Sequence, residues 1–350
     1  MPSAAPTSSD REELRAIGRW LAVWAAMVAL LVLIGGATRL TESGLSITEW
    51  NPVSGIVPPI SVRQWDDEFA KYRQIPQYQQ LNAGMTVEEF KTIFLWEYVH
   101  RLWARLVGVA LALPLLWFAV RRRLPRAVWT RLAGLLALLG VQGAMGWWMV
   151  VSGLSARTSV SQYRLAAHLA VALVLYLWTV WTAAELLEQR PVRAELRDAT
   201  PPRALAALAI LVFATAVSGA FVAGLRAGKI YNTFPMMGVG LVPSGYGQLT
   251  PWWRNLFENP AAVQFNHRLI ATTTFVVAAL LWFAFRRTTD ERFRSRMRLV
   301  LIAALLQVTL GVSTLLTGVP VWLGVMHQGG AVLFLTAALL ALHASGRRSS

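Results

Sequence analysis

The sequence predicts an all-α polytopic membrane protein: eight transmembrane helices in two tandem-duplicated four-helix bundles, with both termini cytoplasmic. Three observations carry this expectation. The chain of 350 residues is 55% hydrophobic and only 15% charged, against about 25% charged in an ordinary soluble domain. Its apolar residues fall in blocks of about 20, the length that crosses a ~30 Å hydrocarbon core. The second half of the chain also repeats features of the first at a nearly constant spacing.

The first 19 residues are polar and charged and show no cleavable signal peptide. Apolar runs then lie at about 20–40, 95–120, 132–152, 165–184, 204–224, 263–285, 299–318 and 321–343. Between the first two runs, segment 41–94 carries turn chemistry in "NPVSGIVPP" and polar clusters in "WDDEF" and "TVEEF", so short surface helices are expected there. At over 50 residues it is too long to be a bare connection. Segment 225–262 has similar turn chemistry in "FPMMGVGLVPSGYG".

The net charge of +15 is carried by arginines in short loops at about 121–131, 185–203 and 286–298. That distribution is the positive-inside pattern, and no nucleic-acid partner is expected. It places those loops, the N-terminal Arg11, Arg15 and Arg19, and the C-terminal Arg347 and Arg348 in the cytoplasm, with 41–94 and 225–262 outside. The absence of cysteine excludes disulfides, thiolate metal sites and cysteine nucleophiles.

The repeat divides the chain into 1–203 and 204–350. "EYVHRLWARLVGVALALPLLWFAVRRR" (97–123) resembles "QFNHRLIATTTFVVAALLWFAFRRT" (264–288), "QGAMG" (142–146) resembles "QVTLG" (307–311), and His168 pairs with His327. The offsets are 167, 165 and 159 residues. His100, His168, His267 and His327 therefore each lie three to seven residues inside the start of an even-numbered run, at matched depth near the outer face. His343 has no counterpart and no role is assigned to it.

A single intramembrane histidine is often an interhelical hydrogen-bonding residue. Four in two matched pairs point to function, because ionisable groups in the membrane are costly. A zinc site ordinarily uses four ligands, and each half offers two histidines and no cysteine. Haem iron needs only axial ligands, so two histidines facing each other inside a four-helix bundle make a bis-imidazole site. The small residues in "GGA", "QGAMG" and "VSGA" suit close approach to a flat macrocycle, or ordinary helix packing. The residues alone thus suggest one haem site per half.

The halves differ at one position: Glu97 precedes His100 by three residues, and Gln264 stands in its place before His267. A carboxylate beside a haem can move protons or stabilise developing positive charge; an acid near a helix start can equally favour the helix dipole. Arg101 and Arg268 suit haem propionates or, equally, lipid phosphates.

These residues resemble the haem A synthase family. The likeness rests on "GGATRLTESGLSITEWNPVSGIVPP" (35–59), "EYVHRLWARLVG" (97–108), "AAHLA" (166–170), "AGLRAGKIYNTFPMM" (223–237), "NHRLIA" (266–271) and "MHQGGA" (326–331), and runs from about residue 20 to 345. Lacking cysteine, the chain looks like the family's cysteine-free proteobacterial and mitochondrial branch. The resemblance implies an enzyme of the bacterial inner membrane, with haem sites near the periplasmic face. It oxidises the C8 methyl of haem O to the formyl group of haem A, through an alcohol and a second hydroxylation that loses water. It implies haem b as cofactor, held by His267 and His327, and the substrate haem held by His100 and His168, with Glu97 as the acid and Arg101 and Arg268 as haem-side cations. Haem O synthase (a protohaem farnesyltransferase), an unidentified electron donor and membrane lipid are the implied partners, and a homo-oligomer is compatible with it. Arg39, Glu42 and Asn51 fall in the matched first loop without assigned roles. Two alternatives stand beside the enzyme. A two-haem membrane cytochrome b confined to electron transfer gives no reason for a lone Glu97. A transporter is disfavoured because the polar residues gather near one face rather than at the midplane.

Overall fold

A computed structural model describes residues 8–51, 54–121, 124–154, 158–188 and 200–345. Arg122, Arg123, most of the 185–203 loop, Arg347 and Arg348 lie outside the described residues. The elements are α1 (Ser8–Leu40), α2 (Val62–Tyr72), α3 (Pro76–Leu81), α4 (Val87–Arg121), α5 (Arg126–Leu154), α6 (Gln162–Glu188), α7 (Thr200–Gly224), α8 (Asn255–Glu258), α9 (Pro260–Phe285), α10 (Glu291–Leu316) and α11 (Val321–Ser345). Eight of them are long and apolar enough to cross a membrane, and they correspond one for one to the eight expected runs. The protein is an all-helical, multi-pass membrane protein.

Local chemistry sets the boundaries. Asn259 caps α9, accepting from the amides of Ala261 and Ala262 ahead of Pro260, and Asp290 caps α10 through the Phe293 amide. Ser61 and Gln64 form a reciprocal capping box that starts α2, which holds the "WDDEF" cluster. The "TVEEF" cluster, expected as a separate surface helix, instead opens α4: Thr86 and Glu89 bond each other's backbone amides. This extends α4 eight residues beyond the apolar run. Only His100 is moved by that correction, since it lies well over three turns into its helix. Measured from the C-terminal ends of their helices, the histidines precede Arg121, Glu188, Phe285 and Ser345 by 21, 20, 18 and 18 residues, a spread of about 4–5 Å along the helix axes at 1.5 Å per residue.

Four helices, α1, α4, α5 and α6, touch in a ring, and so do α7, α9, α10 and α11. The rings meet where α1 packs on α11 and α6 on α7. Within the first ring α4 and α5 touch sparsely, whereas their counterparts α9 and α10 run in contact. Indoles lock α1 to α4: Trp24 donates to Val107 O (2.8 Å), Trp103 to Met27 O (3.0 Å) and Trp20 to Ala110 O (3.1 Å). The last bond has a local cause. Pro114 has no N–H for the carbonyl four residues before it, and that carbonyl is Ala110. Trp20 supplies the missing donor in a medium without water.

Two sets of charges tie the rings together at opposite ends. On the face that carries segment 41–94, Arg39 donates to Ala223 O (2.9 Å) and Gly224 O (3.0 Å), and Glu42 pairs with Arg226 at 2.6 Å. On the other face, Glu188 of α6 pairs with Arg292 of α10 at 2.6 Å. The buried His343 lies 3.8 Å from Glu188 and edge-on to Trp181. Arg39, Glu42 and His343 thus take part in joining the rings.

Segment 41–94 folds over α4 and the end of α5. Its core is Leu45, Tyr72, Ile75, Phe90 and Phe94, joined by Val160 from the approach to α6, with Tyr72 and Phe90 fully buried and their rings 5.1 Å apart. Burial among these rings pushes the Tyr72 phenol above its ordinary value.

Candidate functional site

Each of His100, His168, His267 and His327 lies against a glycine of a neighbouring helix. A Cβ on Gly35 (α1) would stand 3.2 Å from His100 Nε2, and one on Gly219 (α7) 3.3 Å from His267 Cε1. On Gly146 (α5) it would be 3.4 Å from His168 Cε1, and on Gly311 (α10) 2.8 Å from His327 Cε1. Imidazoles this close leave no room for a larger residue at 311 and little at 35 or 219. The glycines of "GGA", "QGAMG", "VSGA" and "QVTLG" therefore seat histidines as well as pack helices.

In the second ring the His267 and His327 rings face each other with centroids 6.5 Å apart and planes at 89°. A metal–imidazole bond is about 2 Å, so two imidazoles on opposite sides of one ion put their centroids a little over ~6 Å apart. The spacing of the pair is that which two imidazoles would need to hold a haem iron between them. His267 is oriented for it: its Nδ1 donates to Ser218 Oγ (2.7 Å), and that hydroxyl donates to Thr215 O (2.8 Å). The proton is thereby held on Nδ1 and the Nε2 lone pair is left for a metal. His327 Nδ1 is buried as well. No group of three or more histidine, aspartate or glutamate side chains that could hold a metal ion occurs among the described residues. The donor set thus suits an iron whose equatorial ligands come with it.

In the first ring His100 stands against Gly35 of α1 and His168 against Gly146 of α5. Gln142 of α5 contacts His168 twice: its amide nitrogen lies 3.1 Å from the His168 carbonyl oxygen and 3.2 Å from ring Nε2.

Glu97 is 2% exposed and saturated with donors. Oε2 accepts from Ser46 Oγ and the Ile47 amide, both at 2.8 Å; Oε1 accepts from Arg101 NH2 at 2.6 Å and Nε at 3.1 Å. It stands more than two turns into α4, with Glu88 and Glu89 in the first turn, so the helix-start reading of Glu97 is wrong. The apolar run begins near 95, but the capping box lies at Thr86.

Arg101 also donates to Ile47 O and Glu49 O, both at 2.9 Å, and packs over the Trp50 ring. Glu49 in turn has its carboxyl held below the ordinary value by hydrogen bonds from Lys71, then Asn51. Arg105 reaches Asn51 O at 2.8 Å, which ties the loop further down α4. In the second ring Gln264 donates to Tyr231 O (3.0 Å), and Arg268 donates to Tyr231 O (2.7 Å) and Thr233 O (2.8 Å). Both arginines thus pin the loop that follows the first helix of their ring. Only the first does so around a carboxylate. Sequence reasoning missed Gln142 and Ser218, although both stand inside quoted motifs; the signal was a polar residue beside a glycine.

A profile of the cytochrome oxidase assembly protein family (COX15-CtaA) matches residues 18–339. The chain is 49% identical over 343 residues to the heme A synthase of Rhodospirillum centenum, covering 98% of this chain and 91% of that one. It is 48% identical over 345 residues to the heme A synthase of Bradyrhizobium diazoefficiens, covering 98% and 95%. With the heme A synthase of Nitrosospira multiformis it shares 44% over 351 residues, covering 97% of each.

Proposed function

The chain belongs to the cytochrome oxidase assembly protein family, and from that premise we propose that it is a haem A synthase, a membrane oxidoreductase that converts haem O to haem A for terminal oxidases. Near-full-length identity to several heme A synthases is the observation that carries this reading. In it, residues 1–203 and 204–350 are duplicated four-helix halves. The second holds haem b as resident cofactor on His267 and His327; the first holds the substrate haem on His100 and His168. The facing pair at 6.5 Å and the Ser218 hydrogen bond support the cofactor assignment. The protein sits in the bacterial inner membrane with these sites toward the periplasm, takes haem O from a haem O synthase, and draws electrons from a separate donor.

When bound, haem b supplies one-electron redox chemistry. The residues around the first site do the rest. His100 and His168 would hold the substrate macrocycle between α4 and α6. Glu97 is the titratable group one turn from His100. Its bonds to Ser46, Ile47 and Arg101 hold it aimed, and proton delivery to the reacting edge requires that Oε1 or Oε2 exchange one of these partners. Arg101 and Arg268 stand beside each haem as cations while their remaining donors hold loop carbonyls.

Co-expression with a haem O-producing enzyme, followed by extraction and chromatography of haems, tests the function. Haem A together with haem b is expected. Haem b alone, without haem O, the alcohol or haem A, refutes it.

A further inference from the structure

We propose that Gln142 makes the first-half haem exchangeable by competing with iron for the ring nitrogen of His168; this rests on the reading that the four histidines are haem ligands. The two halves treat their histidines differently. His267 is held by a hydrogen bond on Nδ1, from the far side of the ring, which leaves Nε2 free. The residue one before the glycine seat is Ser218 there and Ile34 in the first half, so His100 has no corresponding hydroxyl. His168 is held from the other side. The Gln142 amide nitrogen lies 3.1 Å from the His168 carbonyl, which can only accept, so nitrogen rather than oxygen faces the histidine. Its second N–H then engages Nε2 at 3.2 Å, the lone pair that iron requires.

The opposite end of the same amide supports a mobile role. Gln142 Oε1 is buried with no partner among the described residues, so the side chain loses nothing on that side when it swings away. Gln307, 165 residues on, is placed differently. Its Oε1 is likewise buried without a partner among the described residues, but it is lodged against Gly330 of α11, where a Cβ would collide with it, and no side-chain amide–ring bond to His327 is found among the described residues.

The consequence is kinetic. When the iron–imidazole bond of the first half breaks, an N–H···N bond to His168 forms in its place; no electron moves. That bond favours release in the half that must discharge product. The half that must keep its cofactor has no such competitor. Gln142 is a positioning residue, acting through His168.

The test is haem transfer from the full-length protein, loaded with haem O, to excess apomyoglobin, followed in the Soret band. Wild type is expected to lose haem in a fast phase from the first half and a slow phase from the second. His168→Ala should abolish the fast phase. Gln142→Leu should slow the fast phase about fivefold, the worth of one net hydrogen bond, and leave the slow phase unchanged. Gln142→Met, closer in shape, should do the same, and the unaltered slow-phase spectrum certifies the fold of each variant. A fast phase that survives His168→Ala overturns the ligand reading itself. A fast phase that needs His168 but keeps or raises its rate in both Gln142 variants overturns the competition and leaves the ligand reading standing.

Discussion

The two rings use one plan for different ends. Each seats two histidines on glycines of neighbouring helices, and each uses an arginine one residue after the first histidine to pin a loop. The second ring is closed: α9 and α10 run in contact, His267 is fixed by Ser218, and the residue beside it is the neutral Gln264. The first ring is looser between α4 and α5, has an amide on His168, and carries a buried carboxylate under a folded outer segment. Under the proposed function, the difference is that between a site set for retention and a site set for turnover, built from the same parts. A cofactor site gains from ligands locked in one tautomer. A substrate site needs a way in, a way out and a group that can move a proton.

The comparison breaks most visibly at His327. His327→Ala should remove the resident haem, read as loss of haem b on extraction and of the low-spin spectrum; an unchanged spectrum means the second ring is not the cofactor site. Next comes Glu97→Gln, which makes the first ring resemble the second at that position. Haem A yield should fall about 100-fold, the lower range for loss of a general acid or base, with haem b retained. Normal yield would reduce Glu97 to a loop anchor.

The paired arginines sharpen the comparison through stability. Arg101→Ala leaves the buried Glu97 carboxylate without its counter-ion, and breaking a buried pair in this way costs about 3–5 kcal/mol. Arg268→Ala removes only bonds to carbonyls, about 1 kcal/mol each. Thermal aggregation midpoints of the detergent-solubilised variants should therefore drop far more for Arg101→Ala, and equal drops would deny the ion pair its weight. The smallest contrast lies in the glycine seats. Gly311→Ala forces His327 aside and should weaken haem b retention, while Gly146→Ala meets His168 at ordinary contact distance and should change haem content little; haem-to-protein ratios after gel filtration decide.

Much of this was legible in the sequence, for physical reasons. Spans of about 20 apolar residues have one solution in a bilayer, and the matched histidines stand out because such residues are rare there. The start of α4 was not legible from hydropathy, because its first turns are polar and lie beyond the apolar run; Thr86 and Glu89 mark it only through capping chemistry. Nor was the surrounding of Glu97. Its partners Ser46 and Ile47 lie about 50 residues away, and nothing local announces that pairing. Gln142 was hidden for a different reason: a glutamine in a membrane helix reads as interhelical glue until its acceptor is known.

The bond from Gln328 of α11 to Val32 O of α1, 2.8 Å long, joins residues 296 apart. Its oxygen end rests on Gly36, next to the Gly35 seat of His100. In order of synthesis, the first span to leave the ribosome must wait for the last before this seam can close. Until then Gln328 has no partner chain to meet, and α1 keeps one flank open to lipid. Assembly of both sites is thereby tied to completion of the whole chain, so a truncated nascent product lacking α11 would leave the seam open and haem loading unfinished.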